Sequence, residues 1–251
     1  MAVTVAVSGV GGKLAAPIVT AVSQASDLEL VALYNPNRGG SVMEGVEVSD
    51  DPESLEADVV VETAHPDKVF TNLEVWKRSG MAAVVGTSGF TEERLTKLRE
   101  LWGETGPPCL VVPNFSVGAV LMMEFARTAS KYFEAVEIIE RHHSTKPDAP
   151  SGTSLATAMG VAGSGGSSPQ GSEELVPGAR GADVGGVRIH SLRLPGLIAQ
   201  QEVAMSNTGE VLSVEHLSTS YDSFASGALL AIRRVGELSP GVHLGLAALL
   251  E

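Results

Sequence analysis

The first half of the chain alternates short, β-branched apolar runs with segments of helical periodicity. We predict five strands over residues 3–7, 28–33, 58–62, 82–85 and 109–112, and helices over residues 13–24, 67–78 and 91–101. Continuous apolar strands that alternate with helices are typical of a parallel sheet covered on both faces. The sequence therefore predicts an α/β fold with a doubly wound parallel sheet, which binds ligands beyond the carboxyl ends of its strands.

The pattern changes after Pro113. We predict a helix over residues 117–133, a strand over 135–139, and later strands over 186–194, 201–206 and 210–218. Strands in succession indicate an antiparallel or mixed sheet, and hence a second domain of the α+β type. The pattern alone does not decide which domain the last predicted helix, over residues 223–237, packs against.

Charge and cysteine content exclude several classes of function. The 251 residues include 17 Lys and Arg against 30 Asp and Glu, a net charge of −13 that disfavours nucleic acids and anionic membranes as partners. Cys109 is the single cysteine, which excludes an intramolecular disulfide, and its apolar neighbours predict a buried thiol. Because the first residues lack a basic leader and no apolar run has membrane-spanning length, we expect a cytoplasmic protein.

A glycine-rich turn follows the first predicted strand and opens the first predicted helix. It reads Gly9-Val10-Gly11-Gly12-Lys13-Leu14-Ala15. Glycines at such a turn allow the backbone to approach a pyrophosphate closely, and a helix N-terminus favours the negative charge. The spacing is a variant of the G-x-G-x-x-G/A fingerprint, so we predict dinucleotide binding; the alternative is a turn that serves packing only.

The end of the second predicted strand bears on which dinucleotide binds. An acidic residue about 20 positions after the glycines would hold the ribose hydroxyls of NADH. Here the segment reads Tyr34-Asn35-Pro36-Asn37-Arg38, which has no acid, and Arg38 could pair with a 2′-phosphate. This favours NADPH over NADH, although an ordinary polar turn would have the same composition.

Two further turns end the fourth and fifth predicted strands, at the sheet edge where a nicotinamide would lie. They read Gly86-Thr87-Ser88-Gly89-Phe90 and Val112-Pro113-Asn114-Phe115. Hydroxyl and main-chain N–H groups after a strand suit the recognition of an amide or a carboxylate, but ordinary turn chemistry gives the same pattern.

The segment with the most unusual composition lies in the predicted second domain. It reads Glu140-Arg141-His142-His143-Ser144-Thr145-Lys146-Pro147-Asp148-Ala149-Pro150-Ser151-Gly152-Thr153, and we place the active site here, in a loop after the strand at 135–139. Lys146 suits anion binding or proton donation, and Ser151 or Asp148 could cap a helix that starts near Thr153. Adjacent histidines point in different directions, so we expect no metal site. The alternative is a solvated loop before a capped helix.

These residues closely resemble the signature of the dihydrodipicolinate reductase family, also named 4-hydroxy-tetrahydrodipicolinate reductases. The resemblance extends through the turns at Gly9 and Gly86, Pro113-Asn114-Phe115 and Arg180-Gly181-Ala182-Asp183, and so over essentially the whole chain. It implies an N-terminal Rossmann domain of residues 1–113 plus 223–251. It also implies a substrate and oligomerisation domain of residues 114–222, and a homotetramer.

The resemblance also implies roles for individual residues. His142 would be the general acid and Lys146 a second proton-donating or orienting group. The substrate would be a cyclic imine with two carboxylates, bound by His143, Ser88, Gly152 and Thr153. NADPH or NADH would be bound by Gly9, Val10, Gly11, Gly12, Lys13, Leu14, Asn35, Arg38, Gly86, Thr87, Ser88, Val112, Pro113, Asn114 and Phe115.

Some positions depart from the family pattern without removing a reacting group. Asn35 stands where many members carry an acid, and Glu62-Thr63-Ala64 replaces a more usual Asp-Phe-Thr beside the cofactor. We therefore expect reduction of 4-hydroxy-tetrahydrodipicolinate to tetrahydrodipicolinate in lysine and diaminopimelate biosynthesis. The alternatives are a reductase of another cyclic imine or carbonyl, and a non-catalytic NADP(H)-binding regulatory protein.

Overall fold

The structure, a computed structural model, describes residues 2–250. The chain divides into two units: the first comprises the chain up to Val117 together with the chain from Tyr221 onward, and the second comprises Gly118–Ser220. The expectation from the sequence places these boundaries after residues 113 and 222. No helix within residues 2–250 is both long and apolar enough to cross a membrane.

The first unit is built on an eight-stranded sheet with the order β13-β7-β6-β5-β1-β2-β4-β3. Its strands are β1 (Val3–Ser8), β2 (Leu28–Tyr34), β3 (Val42–Met43), β4 (Val46–Ser49), β5 (Val59–Glu62), β6 (Ala82–Val85), β7 (Pro108–Val111) and β13 (Gly241–Leu244). All neighbours pair in parallel except β3 with β4. The predicted doubly wound parallel sheet is therefore confirmed.

The helices of the first unit are α1 (Ala15–Gln24), α2 (Val69–Arg78), α3 (Glu92–Trp102) and α6 (Ala225–Arg234). Trp76 and Trp102 are fully buried in one core cluster with Cys109. The predicted buried thiol is confirmed, and burial raises its pKa well above the ordinary range. Helix α1 starts two residues later than predicted because the turn continues through Leu14.

Three strands of the first unit were not predicted. Strands β3 and β4 form a short hairpin whose turn places Glu44 and Gly45 at positive φ, and β13 is a four-residue edge strand next to β7. These three strands are two to four residues long, too short to show a hydrophobic periodicity in the sequence. They are recognised only by their pairing with a neighbouring strand.

The second unit holds a five-stranded sheet with the order β12-β11-β8-β10-β9. Its strands are β8 (Ala135–His142), β9 (Ala182–Val184), β10 (Val187–Arg193), β11 (Ala199–Asn207) and β12 (Glu210–Ser218), and its helices are α4 (Val117–Ala129) and α5 (Gly152–Gly163). Strands β8 and β10 are parallel and the other pairs are antiparallel, so the sheet is mixed. Val136, Ile138 and Met205 form its core with Ala158 and Val161 of α5.

The second unit corrects one boundary that matters for function. The predicted strand ended at residue 139 and the active-site loop began at Glu140, but β8 continues to His142. The residues of β8 alternate in burial, so Glu140 follows Val136 and Ile138 on the buried face. A charged residue can continue a buried strand only when it is paired, and Glu140 is paired by Arg193.

Candidate functional site

The turn after β1 is shaped by glycines that no other residue could replace without strain. Gly9 has φ of 83°, and a Cβ there would lie 2.6 Å from the main-chain nitrogen of Ala64. Gly11 has φ of 92°, and its Cβ would lie 2.5 Å from Nε of Arg38. Because the backbone of the turn is kept bare, a ligand phosphate can approach it closely.

The turn is bound to the segment that follows β2. The side chain of Asn35 donates from Nδ2 to the carbonyl oxygen of Val10 at 2.6 Å, and accepts at Oδ1 from the main chain of Asn37 at 2.9 Å. The guanidinium of Arg38 lies beside Gly11. The predicted pyrophosphate turn and the predicted ribose-binding segment therefore form one continuous surface.

The other predicted cofactor turns meet the first turn at Gly86. A Cβ on Gly86 would collide with the ring of Phe115 and would lie 3.1 Å from Cδ2 of Leu14. Thr87 is buried and donates from Oγ1 to the carbonyl oxygen of Ala64 at 2.9 Å, whereas Ser88 is exposed. The strands thus bring residues from three distant segments together at their carboxyl ends.

Glu62, at the end of β5, lies in the interior behind this surface. Its carboxylate is fully buried and accepts hydrogen bonds from the main chain of Ala64 at 2.6 Å, from Trp76 at 2.8 Å and from Asn72 at 3.0 Å. Burial raises the pKa of Glu62 despite these bonds. The side chain therefore fixes the main chain of Ala64 against Gly9 and does not line the cofactor surface, which the sequence did not reveal.

In the second unit, His142 ends β8 within a buried ionic network. Its Nδ1 contacts Oε2 of Glu140, and Arg193 donates to the two carboxylate oxygens of Glu140 at 2.9 and 2.8 Å. Glu140 is fully buried, while the side chain of His142 keeps 14% of its surface exposed. Burial alone would raise the pKa of Glu140, but the bonds from His142, Arg193 and Ser191 outweigh it and hold the pKa at about 2.

The loop after β8 carries the other predicted groups. Lys146 donates from Nζ to both carboxylate oxygens of Asp148, at 2.7 and 2.8 Å, and this bond lowers the pKa of Asp148. His143 contacts the hydroxyl of Thr145 at 2.8 Å, and its carbonyl oxygen accepts from the main chain of Lys146 at 3.1 Å. The same turn thus presents an imidazole and an ammonium next to the end of β8.

Helix α5 begins where the loop ends. Ser151 is its N-cap and accepts at Oγ from the main chain of Ser154 at 3.1 Å, which confirms the predicted cap. Ser154 in turn donates to Gln201 at 2.8 Å, and Gln201 is the β11 residue paired with Glu140. The first turn, with Gly152 and Thr153, supplies main-chain N–H groups and the positive end of the helix dipole directly after this loop.

The chemistry of this set is proton donation and anion binding. Among residues 2–250, no three His, Cys, Asp or Glu side chains converge in a way that could hold a metal ion. The polar groups present are instead an imidazole, an ammonium and a helix N-terminus, which suit a carboxylate-bearing substrate.

Two comparisons with known proteins bear on this arrangement. Residues 3–115 match the family described as dihydrodipicolinate reductase, N-terminus, and residues 118–250 match its C-terminus. The chain belongs to the dihydrodipicolinate reductase family. Two members of the family are the 4-hydroxy-tetrahydrodipicolinate reductases of Mycolicibacterium vanbaalenii and Nocardia farcinica. They are 42% and 43% identical to the chain; the first match covers 98% of each protein and the second 100%.

The fold comparison agrees with the sequence comparison. A solved structure of the dihydrodipicolinate reductase of Paenisporosarcina sp. TG-14, described as dipicolinate-bound, matches with a TM-score of 0.88 and 37% identity over 100% of both chains. The resemblance noted from the His142–Thr153 segment is therefore confirmed for the whole chain.

Sequence reasoning missed Glu140 and Arg193. It treated Glu140 as part of a loop, and it gave Arg193 no role. A signal was nevertheless present, because Glu140 keeps the alternating register of Val136 and Ile138.

Proposed function

We propose that the chain reduces 4-hydroxy-tetrahydrodipicolinate to tetrahydrodipicolinate with a reduced nicotinamide dinucleotide, a step of lysine and diaminopimelate biosynthesis. The observation that carries the proposal is the set formed by His142, Lys146 and the N-terminus of α5. Reductases of this name match the chain along its length at 42–43% identity.

The first unit fits a dinucleotide. The bare backbone at Gly9 and Gly11 is a cradle that a Cβ would fill, and the turn leads into the N-terminus of α1. The bound cofactor supplies a hydride, and the residues of this unit bind and orient it. Leu14 and Phe115, which pack about Gly86, supply apolar surface at the same edge of the sheet.

The second unit supplies protons and binds anions. His142 donates a proton to the ring that receives the hydride, because reduction of a conjugated imine leaves negative charge that must be neutralised. Lys146 stabilises this charge and orients the ring. His143, Gly152 and Thr153 bind the two carboxylates, supported by the dipole of α5; Ser88 of the first unit is proposed to contact both substrate and cofactor.

We also propose a preference for NADPH. Residue 35 is an amide, its side chain is engaged with Val10, and the guanidinium of Arg38 lies beside Gly11. A 2′-phosphate therefore meets a cation here where NADH enzymes present a carboxylate. Replacing Arg38 with Ala should raise the KM for NADPH far more than that for NADH, whereas equal effects would contradict the preference.

The assembly proposed by analogy with the family is a homotetramer built through the second unit. The outer strand β12 of the mixed sheet exposes Val211, Leu212 and Leu217, with 72%, 39% and 52% of their surfaces accessible. Exposed apolar side chains clustered on one strand are typical of an interface. Light scattering should give four times the mass of one chain, 26.0 kDa.

The activity is tested by following NADPH oxidation with freshly generated 4-hydroxy-tetrahydrodipicolinate. Turnover that depends on this substrate supports the proposal. Intact NADPH binding without turnover would overturn it and would favour a non-catalytic binding protein. Turnover of another cyclic imine in preference to this one would favour a reductase of different specificity.

A further inference from the structure

Glu140 is an unusual group for the middle of a sheet. It lies on β8, the central strand, between β11 and β10, and its side chain is fully buried. An unpaired carboxylate at such a site would cost several kcal/mol. The site instead surrounds it with donors, since both oxygens accept from Arg193 and Oε2 also contacts Nδ1 of His142.

We infer that Glu140, held by Arg193, is a positioning residue for His142. It fixes the imidazole ring, keeps a hydrogen on Nδ1 and leaves Nε2 to give the proton to the substrate. This inference rests on the proposed function. The carboxylate acts through the histidine, in the way that carboxylates orient imidazoles in other enzymes.

The hydrogen-bond pattern supports these separate roles for the two ring nitrogens of His142. Nδ1 is engaged by Glu140, and within residues 2–250 Nε2 has no hydrogen-bond partner. A carboxylate with a depressed pKa stays ionised and can only accept, so the neutral imidazole must carry its hydrogen on Nδ1. The proton exchanged with a substrate then passes through Nε2.

Arg193 extends the network to the other predicted catalytic group. Besides the two bonds to Glu140, its Nη2 donates to the main-chain oxygen of Asp148 at 2.6 Å, and the carboxylate of Asp148 holds Lys146. One partly buried guanidinium therefore connects the end of β8, the end of β10 and the loop with the ammonium. This single network sets the positions of His142 and Lys146 together.

Among the described residues of the neighbouring strands that pair with Glu140 and His142, only Arg193 is charged. The residues of β11 that pair with Glu140 and His142 are Gln201 and Ala199, and α5 has no titratable side chain. The charges that act on the imidazole are those of Glu140, Arg193, Lys146 and Asp148. Of these, only Glu140 contacts the imidazole, so its removal should dominate any change in the pH dependence of turnover.

The test compares Glu140→Gln with a matched control, Glu137→Gln. Glu137 lies on the same strand but on the opposite face, where it contacts His190 at 2.7 Å and pairs with Arg180. Both variants remove one carboxylate from a Glu–His–Arg cluster. We expect Glu140→Gln to lower kcat by about 10- to 100-fold, with unchanged NADPH affinity, and Glu137→Gln to leave kcat unchanged.

The pH profile separates positioning from a merely structural effect. A general acid must be protonated, so activity should fall as pH rises. Glu140→Gln removes the negative charge that contacts the protonated imidazole, and it should therefore move this fall to lower pH. An unchanged profile and kcat in this variant, or an equal loss in both variants, would overturn the inference.

Two measurements remain decisive if Glu140→Gln does not fold. Arg193→Lys keeps the charge but loses the two-pronged bond and should lower kcat while preserving NADPH affinity. Nitrogen NMR of the parent should find the neutral ring of His142 protonated on Nδ1; protonation on Nε2 would overturn the inference. If the parent shows no turnover, the proposed function fails, and the NMR result still tests the pair.

Discussion

Two buried glutamates, one in each unit, show how differently the two candidate sites are built. Glu62 ends β5 behind the cofactor turn and Glu140 lies near the end of β8, and both side chains are fully buried. The partners of Glu62 are neutral N–H groups, and its pKa is raised. Glu140 faces a guanidinium and an imidazole, and its pKa is held at about 2.

Cations favour an ionised carboxylate more strongly than neutral dipoles do, which accords with the opposite directions of the two pKa shifts. The difference also separates two kinds of site. The first unit is shaped mainly by main chain packed closely at glycines, whereas the second is shaped by paired charges. Substitutions in the first unit should therefore act through steric contact with the main chain, and substitutions in the second unit through charge and pH.

The largest effect should come from His142→Gln. Loss of the proposed proton donor should reduce turnover by about 10²- to 10⁴-fold while leaving NADPH affinity unchanged. His190→Gln is the matched control, because it removes the imidazole from the other Glu–His–Arg cluster. Equal turnover in the His142 variant and the parent would refute the assigned role. Weaker NADPH binding in the variant would show that NADPH affinity does not depend on the first unit alone.

The next effect contrasts Glu140→Gln with Glu62→Gln through the free energy of unfolding at different pH. Because the pKa of Glu140 is depressed from 4.5 to about 2, its stabilisation is present above pH 4.5 and is lost as pH falls towards 2. Glu140→Gln should thus cost about 3–5 kcal/mol at neutral pH and progressively less in acid.

Glu62 should show the opposite sign. Its pKa is raised above 4.5, so the folded state holds the proton more tightly and the contribution of Glu62 falls as pH rises through the folded-state pKa. The cost of Glu62→Gln should therefore shrink with rising pH. Urea titrations from acid to neutral pH measure both variants, and parallel curves would contradict the comparison.

A smaller effect is expected from Gly9→Ala, which tests the backbone-built site. The added Cβ meets the main chain of Ala64 and Thr63 at positive φ, which costs about 1–3 kcal/mol and should weaken NADPH binding. Gly80→Ala is the control, since φ is 74° there and nothing lies within 4 Å. Calorimetry should measure the weaker NADPH binding, and the KM for 4-hydroxy-tetrahydrodipicolinate should be unchanged in both variants.

The smallest effect should come from Ser151→Ala. Loss of the N-cap of α5 should reduce the free energy of unfolding by about 1 kcal/mol. Ser151→Thr keeps the hydroxyl oxygen and should recover most of the loss in thermal unfolding. A full loss in the threonine variant would show that the cap is not the cause.

The sequence was most informative about strands that are buried on both faces of the sheet. Strands β1, β5 and β6 have continuous apolar runs, so their existence and their parallel arrangement could be predicted. The four residues of β13 carry no such run, and their pairing with β7 is determined by the tertiary fold. The glycine turn could be predicted because only glycine tolerates the backbone that it needs.

The candidate site in the second unit could be predicted only in part. His142 and Lys146 are conspicuous in the sequence, but the partner that lets Glu140 stay inside the sheet is Arg193, 53 positions away. A polar run indicates a loop unless its charges are paired, and such pairing is invisible to local pattern. For the same reason the end of β8 was placed three residues too early.

The ion pair between Lys146 and Asp148 has a consequence for ligand exchange. For any anion that Lys146 binds, the carboxylate of Asp148 is a competitor held two residues away. An incoming carboxylate must displace it, which weakens binding, and the same carboxylate can recapture the ammonium when the ligand leaves. For a ligand carboxylate held by Lys146, this competition would shorten the time for which the ligand stays bound.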